Sequence, residues 1–310
     1  MRRRWSIRPA HPHEWSDAVR HASALFRPGL PEDAMARAYP LLLGAGNVTN
    51  LWVAHDGADI VAHVGYRLVE IDTGKGVYLG ALFGAVFTAE AWRGQGLATQ
   101  VLSRATEAAR QQGAAFGVIS GTRNLYQRQG FFPLPRATGY RIDGGSANGP
   151  HALTMRPITT SQWGLVQALH ASRTPRFSRG EGDWKALLES QTLWFGAGEV
   201  WAVFDESSAS SPGAYFALEK EPRTREATGP CRRALEWGGN ALWARQALEQ
   251  CARTRGLVEW VVAAHDAEAH RAAAQAPRLA GRLVDLGISA AAWRLAVATD
   301  DIPLYGLDYV

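Results

Sequence analysis

The sequence predicts an α/β (α+β) protein of two related units in tandem. Three observations carry that prediction: the length, an internal repeat, and a change of hydrophobic period within the first half. The 310 residues are enough for two cores at roughly 100–200 residues per domain. Ile7-Arg8-Pro9 followed by Trp15 recurs as Met155-Arg156-Pro157 followed by Trp163, and Leu51-Trp52-Val53-Ala54 recurs as Val200-Trp201-Ala202-Val203. The matches keep their order and an offset of 148 or 149 residues, the pattern of a duplicated domain. The glycine-rich stretch 144–150 is the linker candidate, which gives units over 1–145 and 151–310.

In the first unit, strands are predicted around Ile7 and over 51–54, 60–71 and 76–88, all rich in Val, Tyr, Phe and Leu. They are separated by Asp56-Gly57 and by Thr73-Gly74-Lys75-Gly76, which are turn signals, so they form an antiparallel meander. From Leu97 the period becomes helical. Leu97, Val101, Leu102, Ala105, Ala108 and Ala109 share one face, and Gly113 closes the helix in the C′ role. Residues 116–120 read as a short buried strand, and 123–129 as a short helix stopped by Gly130.

Composition narrows the function classes. With 46% hydrophobic residues and a net charge of +4, the chain buries a core and is not disordered. Cys231 and Cys251 are the only cysteines, too few for a disulfide framework or a metal cluster, so a reduced, soluble, cytoplasmic protein without a metal is expected. The basic start (Arg2, Arg3, Arg4) runs into Ser6, Arg8 and Pro9 rather than an apolar stretch, so no signal peptide and no membrane partner is expected. Sixteen basic and eleven acidic residues precede the linker and seventeen and eighteen follow it, +5 against −1. A polyanionic ligand is therefore sought in the first unit. No arginine-rich helix or aromatic–basic sheet motif accompanies this charge, so no nucleic-acid partner is expected.

The stretch 84–98 joins a strand to a helix through Arg93-Gly94-Gln95-Gly96-Leu97-Ala98. There the glycines allow close approach to the backbone, and the free amides of the helix start suit a pyrophosphate. Thr99 stands where a third glycine of the dinucleotide fingerprint would be, and no Gly-Lys-Ser/Thr follows, so neither that motif nor the P-loop fits. The loop reads Arg-x-x-Gly-x-Ala, and about thirty residues later comes Asn124-Leu125-Tyr126-Gln127-Arg128-Gln129-Gly130-Phe131.

At these residues, within roughly 5–135, the sequence resembles the GNAT superfamily of N-acetyltransferases. The resemblance implies tandem GNAT-like domains, each a mixed, mostly antiparallel twisted sheet flanked by helices, with acetyl-CoA as cosubstrate. It implies that Arg93, Gly94, Gln95, Gly96, Leu97 and Ala98 bind the CoA pyrophosphate, that Ala85, Val86 and Phe87 hold the pantetheine and acetyl carbonyl through backbone groups, and that Asn124 contacts the pantetheine arm. Tyr126 would stand near the thioester sulfur as general acid, its phenol of pKa ~10 protonating the departing thiolate. A backbone N–H of Val86 or Phe87 would meet the oxyanion. Residues 77–88 carry no carboxylate for a general base; of Glu70, Asp72, His63 and His55, Glu70 ranks first, and a water chain or an amine arriving deprotonated would also serve.

In the second unit, aligning Gly256 with Gly113 lays Glu236 over Arg93, and a separate match of Gly287 to Gly130 puts Leu283 at the tyrosine. A carboxylate there would repel phosphates, so a degenerate copy without a cofactor site is expected, loosely like the tandem domains of the Eis-type acetyltransferases, where such a copy shapes the acceptor pocket. A third, sterol-carrier-like domain is not expected within these 310 residues. The many tryptophans of this half are expected in cores and at the domain seam, and the segment 173–184 could reach the cleft. The expected function is acetyl transfer from acetyl-CoA to a primary amine of a small-molecule or peptide acceptor by direct attack. The alternative is a non-catalytic acyl-CoA-binding sensor.

Overall fold

The computed structural model describes residues 4–134, 137–144, 152–207, 210–225, 229–276, 278–293 and 302–303. Along the first half run β1 (Ser6–Pro9), α1 (Trp15–Phe26), α2 (Ala34–Ala38), α3 (Pro40–Leu43), β2 (Leu51–His55), β3 (Ile60–Asp72) and β4 (Val77–Thr88). Then come α4 (Leu97–Gln111), β5 (Phe116–Ser120), α5 (Asn124–Gln127), β6 (Phe132–Pro133) and β7 (Ala137–Ile142). The second half continues with β8 (Leu153–Pro157), α6 (Gly164–Ala171), β9 (Arg176–Phe177), α7 (Glu181–Ser190), β10 (Thr192–Leu193), β11 (Gly196–Asp205) and β12 (Ala214–Glu219). It closes with β13 (Arg223–Arg225), β14 (Gly229–Gly239), α8 (Ala241–Arg255), β15 (Val258–Val262), α9 (Ala267–Ala274), β16 (Gly281–Val284) and β17 (Ile288–Ala292).

The strands form two mixed, mostly antiparallel sheets, each with helices packed against it, as the fold class predicted. The first has the order β1-β2-β3-β4-β5-β17-β6 with β9 on β3; the second β10-β11-β12-β14-β15-β7-β16, with β8 on β11 and β13 on β14. In each, one pair is parallel: β4 with β5, and β14 with β15.

The sequence repeat is a repeat of register. Pro9 faces Trp52 across β1 and β2, and Pro157 faces Trp201 across β8 and β11. Each first strand leads through a 3-10 turn into a helix. In the first unit Glu14 closes the turn by accepting from the His11 backbone N–H at 2.7 Å; in the second, Gln162 accepts from Thr159 at 3.1 Å.

Sheet membership cuts across the division at 145 and 151. β7, which precedes the linker, lies in the second sheet between β15 and β16. β17, from the second half, lies in the first sheet between β5 and β6. Each sheet thus takes its penultimate strand from the other half. Apart from Gly144, the predicted linker falls outside the described residues.

The helical face predicted for α4 is the packed one: Leu97, Val101, Leu102, Ala105 and Ala109 are buried. Gly80 on β4 lets α4's sheet close, because a Cβ there would lie 2.2 Å from the Phe116 ring. On α8, Ala244, Ala247, Leu248, Cys251 and Ala252 are buried likewise. One core is shared between the sheets, with Val69, Ile71, Leu82 and Phe116 packed alongside Phe177, Trp184, Tyr215 and Leu235. Trp184, Trp194, Trp201, Trp237 and Trp260 all fill cores, as expected. The two cysteines are buried, and no disulfide joins them. Among the described residues no helix is long and apolar enough to cross a membrane.

Candidate active site

The site begins where two parallel strands part. β4 and β5 pair from Gly80–Phe116 to Phe83–Ile119 and no further, so Gly84–Thr88 runs on without β5 beside it. A crevice beyond the carboxyl ends of parallel strands is a common place for a ligand, and the unpaired backbone there offers hydrogen-bonding groups.

On its other side, β4 carries a bulge. Gly65 pairs with Gly84 and His63 with Phe87, so Ala85 and Val86 stand opposite one residue of β3. Ala85 has a φ of 52°, the left-handed region unfavourable for a side chain. The bulge is tied by His63, whose Nδ1 donates to the Ala85 carbonyl oxygen at 2.8 Å. The His63 ring is fully buried and stacked on Phe87 at 5.4 Å. Burial holds its pKa down to about 4, against a weaker opposing effect of the Ala85 bond. His63 is therefore neutral, with Nε2 buried and without a hydrogen-bond partner. It lies behind the strand, out of the cavities described below, and does not serve as a base there.

The loop 93–98 meets α4 at an open end. Gly94 and Gly96 have φ of 78° and 75°, and no heavy atom would stand within 4 Å of a Cβ at Gly94. Gly96 occupies the N-cap position of α4 and has no side chain to cap it, so the first-turn amides of a fifteen-residue helix face outward. A cavity of about 620 Å³ lies on this end, lined by Val86 and Phe87 of the bulge and by Arg93, Gly94, Gly96, Leu97 and Ala98 of the loop. Arg123 and Arg128, which flank α5, also line it. The charge and the open amides fit a phosphate-bearing ligand.

A second cavity, of about 360 Å³, shares Phe26, Val86 and Arg123 with the first and extends over the bulge to Tyr126. Tyr126 is 3% exposed, and burial raises its pKa above the usual phenol value, with Arg123 working in the opposite direction. Its ring packs over Gly121, where a Cβ would lie 2.9 Å from Tyr126 Cε2 and where φ is 111°. The exchanged strand braces this corner: Gly121 donates its N–H to Gly287 O at 2.5 Å, and Ser289 Oγ donates to Gly121 O at 2.8 Å.

The structure therefore brings together Ala85, Val86, Phe87, the loop 93–98 and Tyr126. Gln95 is exposed on the loop outside the cavity lining. Asn124 starts α5 and is exposed outside both linings. Glu70 is not brought in: it pairs with Leu79 at the far end of the β3–β4 hairpin, is exposed, and offers its carbonyl to the Ser178 N–H. Asp72 is engaged by Arg176 at 2.8 Å, and His55 lies 3.7 Å from Glu14.

Sequence reasoning missed Arg27, Tyr39, Arg123, Arg128, Phe195 and Leu286. Arg123 and Arg128 bracket the Asn124–Gln127 turn and were legible as cations beside a predicted anion site. The others come from segments without a motif. The segment 173–184 does not reach the cleft through its arginines. Arg173 is paired with Asp266, Arg176 with Asp72, and Arg179 with Glu236.

The second sheet shows how the corresponding site is lost. The chain runs from the last parallel pair to the helix start over Phe83 to Leu97 in the first unit, but only from Ala234 to Ala241 in the second, seven residues fewer. Glu236 accordingly does not replace a loop arginine, as the alignment suggested; it lies on β14 opposite Ala217. It is buried and accepts two bonds from Arg179, at 2.7 and 2.9 Å, and one from the Tyr215 hydroxyl at 3.0 Å. The α8 terminus is closed by Asn240, whose side chain accepts from Leu242 and Trp243. Leu283 is likewise not the counterpart of Tyr126. It is exposed on β16 opposite Thr138, and α9, between β15 and β16, takes the place of α5.

Residues 47–133, which hold the bulge, the loop and Tyr126, match the family model of an acetyltransferase (GNAT) domain. This is a GNAT acetyltransferase domain. The likeness in fold extends over both sheets. The chain is similar to a GCN5-related N-acetyltransferase from Anabaena variabilis, at 16% identity and a TM-score of 0.69 over 94% of this chain and 74% of that one. It is similar to a GCN5-related N-acetyltransferase from Kribbella flavida, at 13% identity and 0.64 over 93% and 70%. Against Eis1 from Mycobacterium abscessus the values are 12% and 0.58 over 94% and 74%. No curated protein matches the chain. Residues 47–133 thus carry the match to a GNAT acetyltransferase domain, and the likeness in fold takes in the second sheet as well.

Proposed function

We propose that this GNAT protein moves an acetyl group from acetyl-CoA to a primary amine by direct attack, with no covalent enzyme intermediate. The observation that carries the reading is the continuity of the two cavities, from the uncapped end of α4, over the strand crevice, to Tyr126. Acetyl-CoA would supply an activated thioester. The amides of 94–98, with Arg93, Arg123 and Arg128, would hold its phosphates. The bulged backbone at Ala85–Phe87 would orient the acetyl end and offer an N–H to the negative charge developing on the carbonyl oxygen.

Tyr126, buried and protonated at neutral pH, would give its proton to the sulfur as the amine attacks. No Asp or Glu lies among the described residues lining the second cavity. The amine would therefore lose its proton to water, and Arg27 and Arg123 would disfavour its ammonium form. We also propose that 1–145 and 151–310 are the duplicated units, with the second serving as scaffold and cavity wall through Phe195, Leu286 and Gly287.

The test is thiol release from acetyl-CoA over a panel of amines, with calorimetric binding alongside. Tyr126→Phe should lower kcat by ~10²-fold while acetyl-CoA affinity holds. Binding with no turnover of any amine, and no effect of Tyr126→Phe, would instead favour an acyl-CoA sensor.

A further inference from the structure

The walls of the second cavity describe the acceptor. Away from the bulge they are apolar, made by Phe26, Met35 and Leu286, with Phe195 at 46% exposure beside them. The charged groups among them are two arginines, Arg27 and Arg123. Arg123 faces the phosphate end as well, since it lines both cavities. Arg27 does not line the first cavity and stands on the acceptor side.

Arg27 is held there by a neutral relay. Its guanidinium donates to the Tyr39 hydroxyl at 3.2 Å, and that hydroxyl donates to the Trp194 carbonyl oxygen at 3.0 Å. Tyr39 is 7% exposed, so the relay is anchored in the protein and ties an arginine of the first half to backbone of the second. No carboxylate among the described residues pairs with Arg27. A guanidinium fixed by one neutral bond keeps its remaining N–H groups and its full charge for a ligand, and its planar fork suits a carboxylate. A polycation would meet two positive groups and no negative one. At about 360 Å³ the cavity is at the small end of ligand sites, which span roughly 300–1,000 Å³.

We infer that the acceptor is a small apolar amine that also bears a carboxylate, of the kind represented by an aromatic or aliphatic amino acid, and that Arg27 receives that carboxylate. This rests on the acetyltransferase reading above, and on the second cavity being where its amine binds.

The experiment uses the full chain with phenylalanine, leucine, phenylalaninamide and spermidine as acceptors, and with N-acetylphenylalanine and its amide as binding probes. Calorimetry with acetyl-CoA comes first: no binding would overturn the acetyltransferase reading itself. With acetyl-CoA bound, kcat/KM should favour phenylalanine over its amide by roughly 10- to 100-fold, and N-acetylphenylalanine should bind tighter than its amide by a similar factor. Arg27→Gln should bring both ratios close to one, and Arg27→Lys should restore part of them. Acetyl-CoA affinity of each variant reports that it is folded. Preference for spermidine or the amide, ratios that survive Arg27→Gln, or acetyl-CoA binding with no amino acid acetylated would overturn the inference and leave the acetyl-CoA site standing.

Discussion

His63 Nδ1 lies 2.8 Å from the carbonyl oxygen of Ala85, and this bond fastens from behind the bulge that turns β4 toward the crevice. Because the donor is a buried neutral imidazole, the fastening has a pH limit. The unfolded ring takes a proton near 6.5 and the folded one only near 4. Between these values the unfolded state binds more protons, so stability is full above pH 6.5 and falls as pH drops toward 4, by up to about 3 kcal/mol. Urea midpoints at pH 7.5, 6 and 4.5 should fall along this slope, and His63→Phe should flatten it. A variant with the wild-type slope would place the titration elsewhere.

Gly121 governs the position of Tyr126. A methyl group there would stand 2.9 Å from the ring, on a residue with φ of 111°. Gly121→Ala should cost about 1–3 kcal/mol and lower kcat more than it raises the KM for acetyl-CoA, because the displaced group is the phenol and not the phosphate loop. Steady-state kinetics and thermal unfolding on one preparation would check both.

Gly96 has φ of 75° at the uncapped start of α4. Gly96→Ala should cost about 1 kcal/mol for the left-handed conformation and weaken acetyl-CoA binding by roughly tenfold, through the methyl on the surface that meets the phosphates. Calorimetric affinity is the measurement; an unchanged value would remove the loop from the binding surface.

Arg179 and Glu236 form a bidentate pair with both side chains fully buried. Arg179→Met alone leaves a buried carboxylate without its cation and should cost about 3–5 kcal/mol. Adding Glu236→Leu should recover most of that, since an apolar pair replaces the ionic one. A double variant no more stable than the single one would show that the pair itself holds the second sheet together.

The features legible in the sequence were those written locally. The helix face of α4, the glycine-bearing loop before it and the recurrence of Ile7-Arg8-Pro9 as Met155-Arg156-Pro157 each follow from residues within a short window. Glu236 was misplaced because the second strand–helix junction is seven residues shorter, and a constant offset cannot cross such a deletion. Arg27, Tyr39 and Phe195 come to line one cavity with Tyr126 only through tertiary packing. The placement of β7 and β17 was also hidden. In strands this short, sheet membership is set by the partner and not by propensity, and Ala290, Ala291 and Ala292 carry little strand signal of their own.

Ser289 on β17 bonds to Gly121 across 168 residues of chain. The sheet that carries the candidate active site therefore cannot close early during synthesis: the strand that separates β5 from β6 leaves the ribosome only after most of the second half. Contacts of such long sequence separation slow folding, because loop closure precedes the interactions that reward it. The exchange makes the two units one folding problem, in which the cleft around Tyr126 is completed last and a chain truncated at the linker would present an open gap between β5 and β6 in place of a working domain.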